Sequence, residues 1–514
     1  MTRFAGSGAR GRWRRSGRLA RAAASVVVLA VLAAGGWLVY LTLRPDLSCG
    51  PGVRRAAEGA ECFGVSDGRH SFARDLDAIS ARIAAQNARA VRFPYVSIAL
   101  MLPMSPPESF ERRKILEQVQ GAYLAQYAAN EKDNDKNPRI RLLLASPGRD
   151  HAHWRAVADD LARRAASAEN LRVVIGFDVS TAVTREAIRH LTVERRIPVV
   201  AGPVTAENIG PHPGFARIVP TTRDQADALA HFDQDTDPRT ALVVEDKRTD
   251  DDYITSLRGA FRRLARGAPR APEIYESPRN VNDDGNTSTV FGQMVNSICG
   301  SRAKTLYFAG RPVQLRQFLN ELGHRPCAEK TYRVVTGSGA STIIADRKLD
   351  WPALTRGVTL QYAAPAHPDA WSGPGRPATG GSPAAFQALT RLAREAERPP
   401  AGPVGPIVLT DSRTIITYDA TTTAIQAVRA NATQAQPVAP LDQIRNAWLR
   451  VRGPNKVVGV SGWICLDNQG NPYDKAVAVV QLRPATRDLG FVGLAWPRGA
   501  PPESDCTAPT DDGT

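Results

Sequence analysis

Only one apolar run in the 514 residues reaches membrane length, which excludes a multi-span channel or transporter. The chain has no GxSxG, P-loop, GxGxxG or HExxH motif, and Gly459-Val-Ser-Gly-Trp463 fails the first of these. Those absences leave no hydrolase, nucleotide-binding or metalloprotease signature. None of the six cysteines forms CxxC, against a zinc ribbon or a thioredoxin-like redox pair. Histidine is scarce and scattered. Its one close pair, His151 and His153, is spaced by two, so the rings do not share a helix face and do not form a metal pair. Lysine numbers nine against 57 arginines, the coding bias of a GC-rich bacterial genome. Acids are missing from residues 1–22, which hold seven arginines. Much of the net charge of +15 is therefore terminal, and the remainder has no dense basic stripe of the kind a nucleic acid requires.

What is present begins with residues 23–43, 21 positions without a charge. At 1.5 Å per residue they span about 30 Å, one hydrocarbon core. Trp37 and Tyr40 fall near its outer end, and the arginines before it belong on the cytoplasmic side. The reading is a basic cytoplasmic segment (1–22), a transmembrane signal-anchor (23–43) and an extracytoplasmic remainder in the cell membrane. A cleaved signal peptide is the rival, with small residues at 33–36, but the apolar run continues past them. Cys49, Cys62, Cys299, Cys327, Cys465 and Cys506 suit an exported, oxidising setting. Six cysteines allow 15 pairings, of which neighbour pairing is the simplest.

Residues 44–92 read as a juxtamembrane segment with a helix over 73–90. From Phe93 short β-branched runs alternate with helical patterns: 96–102, 139–145, 172–177 and 197–201 as strands, and 108–130, 151–168 and 180–194 as helices. Apolar runs of this kind are strands buried on both faces of a parallel sheet, and the alternation means right-handed βαβ units. The pattern restarts after 215–220, with strands at 240–244, 304–309 and 332–336, and helices at 224–233, 251–266, 289–299 and 312–323. Residues 365–383 and 397–406 are rich in Pro and Gly and read as loops. A helix follows at 415–431, then a β-hairpin of 457–466 and 476–482, and a polar tail.

The order strand, long helix, RIRLLLA, VVIGFDVSTAVTREAIRHLTVERRIPVVAGPVTAENI, GFARIVPTTRDQADALAHF, ALVVEDKRTDDDYITSLRGAF, KTLYFAGRPVQLRQFLNEL and YRVVTGSGAS resembles the type I periplasmic-binding-protein superfamily, in its branched-chain amino-acid binding and receptor ligand-binding forms. The likeness runs from about Phe93 to Pro484. It implies an α/β fold of two Rossmann-like lobes with parallel sheets joined by a hinge, with a ligand in the cleft. The expected division is 93–220 for lobe 1, with 339–430 returning to it, and 221–338 for lobe 2, with 431–484. Residues 485–514 would be a C-terminal tail.

Ser180 and Thr181 open a helix, where free N–H groups favour a ligand carboxylate or phosphate; N-capping by Ser180 is the plain alternative. Gly202, Pro203 and Thr205 follow a strand, where glycine permits close approach and threonine both donates and accepts; an ordinary turn capped by Thr205 is the alternative. The resemblance implies ligand contact at both places. It also implies that Tyr253 covers the ligand from the second lobe, unless its ring belongs to the core. Asp250–Asp252 read as a helix start rather than a metal site. The chain departs from amino-acid binders at Gly310-Arg311 and Ser338-Gly339, where those have an aromatic and an acid. Arg311 could instead meet an anion through its bidentate fork, or be a solvated surface arginine. The expectation is a membrane-tethered solute-binding protein for a small polar ligand, not an enzyme, with no cofactor, metal or nucleic acid. Its partner would be an ABC permease; the alternative is a ligand sensor or scaffold with a membrane partner.

Overall fold

The computed structural model describes residues 48–56, 61–373, 376–504 and 506, with isolated positions 26, 30, 32, 33 and 35. The expected cytoplasmic segment and, but for those positions, the expected membrane span lie outside the described residues. Among the described residues, no helix is long and apolar enough to cross a membrane. The chain divides into Met1–Ser48 and Cys49–Thr514, and the second unit holds the two lobes.

Lobe 1 is built on β1 (Val53–Arg55), β2 (Cys62–Ser66), β3 (Tyr95–Met101), β4 (Arg139–Ser146), β5 (Leu171–Gly176), β6 (Val199–Ala201) and β7 (Phe215–Arg217). They lie in the order β1-β2-β4-β3-β5-β6-β7. The run from β4 to β7 is parallel, and β1 and β2 extend it antiparallel. Lobe 2 is built on β8 (Ala241–Asp246), β9 (Glu273–Tyr275), β10 (Thr305–Ala309), β11 (Tyr332–Thr336) and β12 (Val358–Ala364), all parallel, in the order β9-β8-β10-β11-β12. Two antiparallel strands complete it beyond β12, after the small hairpin β13 (Val457–Gly459) and β14 (Gly462–Ile464). They are β15 (Val477–Arg483) and β16 (Asp488–Ala495).

The unbroken apolar runs of these strands follow from burial on both faces. Along β3, Val96, Ile98 and Leu100 enter one core, while Ala99 and Met101 enter the core on the opposite face. In β8, Leu242 and Val244 part from Ala241 and Val243 in the same way. Each fully buried Val, Leu or Ile contributes about 1.5–3 kcal/mol, so the alternation fixes strand register firmly.

The chain crosses between lobes three times: after β7, after β12 and between β14 and β15. This corrects the expected division. β12 stays in the lobe 2 sheet rather than returning to lobe 1, because it pairs with β11 over five residues. Conversely, Ala439, Ile444, Trp448 and Ile464 pack in the lobe 1 core, and only β15 and β16 belong to lobe 2. The late hairpin is also different. The run 457–466 folds on itself through Val460-Ser461, while β15 pairs with β16. Part of the supposed polar tail is therefore a strand. The three disulfides are Cys49–Cys62, Cys299–Cys327 and Cys465–Cys506, the neighbour pairing.

Candidate functional site

In open α/β sheets the ligand crevice lies beyond the carboxyl ends of the strands. Here those ends, from both lobes, converge on one cleft of about 550 Å³. Lobe 1 supplies segments after β3, β4, β5 and β6, and lobe 2 supplies segments after β8, β9, β10 and β11.

Of the expected residues, Ser180, Thr181, Pro203, Thr205, Tyr253, Arg311 and Ser338 line this cleft. Gly202 and Gly310 do not. A Cβ on Gly202 would meet the Ile416 side chain and the Gly176 carbonyl oxygen at ordinary contact distances, so no close approach requires glycine there. A Cβ on Gly310 would overlap the Tyr275 hydroxyl, so that glycine serves packing inside lobe 2.

Ser180 knots the site together. Its hydroxyl accepts the backbone N–H groups of Thr205 (3.1 Å) and Ala206 (3.3 Å), which ties the loop after β5 to the loop after β6. Its carbonyl accepts from Tyr253 N (3.1 Å) and Arg311 Nη2 (2.9 Å), both on lobe 2. The helix cap expected of Ser180 falls to Thr181, which accepts from Thr184 N at 3.3 Å at the start of α4 (Ala182–Arg189). Thr205 caps no helix; its carbonyl and hydroxyl accept from Thr222.

Arg311 is neither a surface arginine nor free for an anion. Its fork donates to both oxygens of Asp251, each at 2.8 Å, and its guanidinium lies 4.8 Å from the Tyr253 ring centroid. The two side chains are 8 % and 0 % exposed. Burial opposes the Arg311 charge, but the Asp251 carboxylate outweighs it and raises the pKa. Asp251 also caps α6 (Asp252–Leu264), accepting from Ile254 N at 3.1 Å. Asp252 reaches across to Arg185 and to Asn208 Nδ2 (2.6 Å) of lobe 1. The expected helix start is therefore also an interlobe clasp. Tyr253 lines the cleft as a core residue: it is buried, its hydroxyl accepts Gly339 N at 3.0 Å, and burial raises its pKa.

Several cleft residues escaped the sequence reading. Asp178, just past β5, is buried against Lys114 Nζ at 2.6 Å, Gln118 Nε2 at 2.8 Å and Arg413 Nη1 at 3.5 Å. Burial pulls its pKa up, yet the Lys114 and Arg413 charges hold it down at about 2. Lys114 also pairs with Glu111. His151 lines the same wall on a turn where both Asp150 (φ 54°) and His151 (φ 60°) are left-handed. Burial pushes its pKa down, against the pull of Asp178. The cleft thus pairs most of its own charges internally and leaves an apolar wall of Phe110, Val183, Pro203, Val313 and Ile416. Among the described residues no group of His, Cys, Asp or Glu could hold a metal ion.

No protein-family model matches the sequence, and no curated protein matches it. Solved structures do match the fold. A leucine-binding protein, LivK, from Thermotoga maritima is 16 % identical, with 79 % of this chain and 100 % of that one covered and a TM-score of 0.55. The branched-chain amino-acid substrate-binding protein LivJ of Streptococcus pneumoniae, in complex with isoleucine, is 12 % identical over 77 % and 99 %, with a TM-score of 0.56. A solute-binding protein of an ABC transporter from R. palustris, in complex with 4-hydroxybenzoate, is 13 % identical over 78 % and 96 %, with a TM-score of 0.54. With these shared architectures, the two lobes, three crossings and strand-end cleft identify the chain's fold as that of the type I periplasmic binding proteins.

Proposed function

We propose that this chain is a membrane-tethered extracytoplasmic solute-binding protein that encloses a small ligand between its lobes and delivers it to an ABC permease. The observation that carries the reading is the cleft where the strand ends of both sheets converge. Its volume, about 550 Å³, suits enclosure of a small molecule. No chemical step is needed. Lobes that hinge on three crossings bind by differential affinity for the open and closed arrangements. The named structural neighbours, which bind leucine, isoleucine and 4-hydroxybenzoate, support the ligand scale. The single span rests on the charge-free run at 23–43 behind seven arginines.

The test for the transport role is affinity capture from native membranes in mild detergent. Co-purification of a permease supports it. Consistent recovery of a sensor kinase without a permease would replace it with sensing. Ligand capture itself is tested by the stabilisation screen that closes the Discussion.

A further inference from the structure

We propose that the solute taken by this cleft is elongated and zwitterionic: longer than a free amino acid, with an apolar side group, an ammonium held at Glu108 and a carboxylate beyond it. This rests on the solute-binding reading and narrows it to a ligand class.

Size is the first observation. A second cavity of about 530 Å³ adjoins the cleft, and Glu108, Phe110, Asn280, Asn282 and Val313 line both. The first chamber alone lies within the range that encloses drug-sized ligands, about 300–1,000 Å³. The two together offer a continuous path between the lobes for a ligand with two ends.

The second observation is chemical contrast. The first chamber has the apolar wall already described. The second has Asp283, Asp284, Arg316, Asp346, Arg347 and Lys348. An apolar group would therefore settle in the first chamber and a polar end in the second.

The third is what remains unpaired after the protein has satisfied its own charges. In the first chamber Lys114, Arg248 and Arg311 are held by Asp178, Asp250 and Asp251. In the second, Arg316 and Lys348 are held by Asp284, and Arg316 also by Asp346. Asp150 and Asp283 form no ion pair but are exposed, whereas Glu108, at the junction of the chambers, is half-buried. It precedes the first turn of α2 (Ser109–Tyr127), yet its side chain caps none of the N–H groups there. Its Oε2 is shut off from solvent and has no hydrogen-bond partner. The rest of this half-buried carboxylate forms no ion pair and no hydrogen bond either, and a ligand ammonium at the junction would pair with it there. Among the described residues Arg347 in the second chamber forms no ion pair and can receive the carboxylate. A short peptide is the simplest chemistry with these three features.

The experiment is isothermal titration calorimetry on the purified full chain, disulfides intact. The probes are Ala-Phe-Ala, its N-acetyl derivative, its C-terminal amide and free phenylalanine. The proposal expects Ala-Phe-Ala to bind at least tenfold more tightly than each of the others. Glu108→Gln should weaken Ala-Phe-Ala about tenfold while leaving the N-acetyl form unchanged. Arg347→Gln, on the exposed rim, should narrow the difference between acid and amide without touching the N-terminal preference. It keeps the test open should the Glu108 variant misfold. The proposal is overturned if phenylalanine binds as tightly as the tripeptide, or if acetylation makes no difference. It is equally overturned, with solute capture intact, if the tripeptide fails and a compound of another class binds. If no compound of any class binds the folded protein, the solute-binding reading falls with it.

Discussion

Glu117, in the middle of α2, is a carboxyl group 2 % exposed that lines a small cavity together with Asp411. Burial and the facing Asp411 carboxyl push its pKa from near 4.5 up to about 9, against the opposing pull of Arg113. The native state therefore holds this proton more tightly than the unfolded chain. Its contribution to stability is fully present below the unfolded value and is lost as pH rises through about 9. Glu117→Gln should leave stability near pH 5 little changed and raise it at pH 8.5. Urea unfolding of both proteins at the two pH values checks this, and an equal difference at both would count against it. Asp178 works with the opposite sign. Held at about 2 by Lys114 and Arg413, it adds stability above its ordinary 3.8 that is lost as pH falls towards 2. Arg311 shows what a buried pair costs when broken. Arg311→Ala leaves Asp251 charged and dry and removes the bond to Ser180, so unfolding should ease by about 3–5 kcal/mol. Arg311→Lys keeps the charge but not the fork, so chemical denaturation should place it between the two.

At the scale of elements, α2 and α10 (Arg413–Ala430) approach closely. A Cβ on Gly121 would lie 2.3 Å from the carbonyl oxygen of Thr414 and 2.9 Å from Tyr418 N, so the helices meet backbone to backbone. Gly121→Val should cost at least the 1–3 kcal/mol typical of an overpacked core, read as a lower urea midpoint. It should also disturb the cleft, because Lys114 and Arg413 ride on these two helices. The Cys299–Cys327 bridge ties the end of α7 (Thr287–Cys299) to the loop before β11 across 28 residues. Replacing both cysteines with serine should cost about 2–4 kcal/mol, measured by unfolding under oxidising conditions.

Legibility in the sequence followed the same scale. Strands such as Arg139–Ser146 and Thr305–Ala309 announced themselves because burial on both faces demands unbroken apolar residues. β12 and β16 did not, because which sheet a strand joins is decided by pairing partners distant in the chain. α9 (Pro383–Glu395) was hidden between Pro- and Gly-rich segments, although Ser382 caps it and Pro383 opens it. As cleft-lining residues, Ser180, Thr205, Arg311 and Ser338 were readable because each follows a strand end within a few residues, and Tyr253 through the family resemblance. Lys114 and Arg413 were not: some 300 residues separate them, and only helix packing brings both to Asp178. Gly202 and Gly310 fall outside the cleft lining, because a glycine at a strand end can face either the cleft or the core.

At the scale of the whole fold, two lobes joined by three crossings are clasped by Arg311–Ser180 and Asp252–Arg185, and the proposed function has them close on a solute. The most direct test is thermal stabilisation of the purified, oxidised full chain against amino acids, short peptides, sugars, nucleosides, organic acids and aromatic acids. A true ligand at 100 times its Kd should stabilise the protein by about 2.7 kcal/mol, seen as a saturable rise in Tm. Such a rise, reduced when cleft-lining Ser338 is replaced by Trp, is the result predicted. A cooperatively unfolding protein whose Tm no compound of any class moves would contradict solute capture as its function.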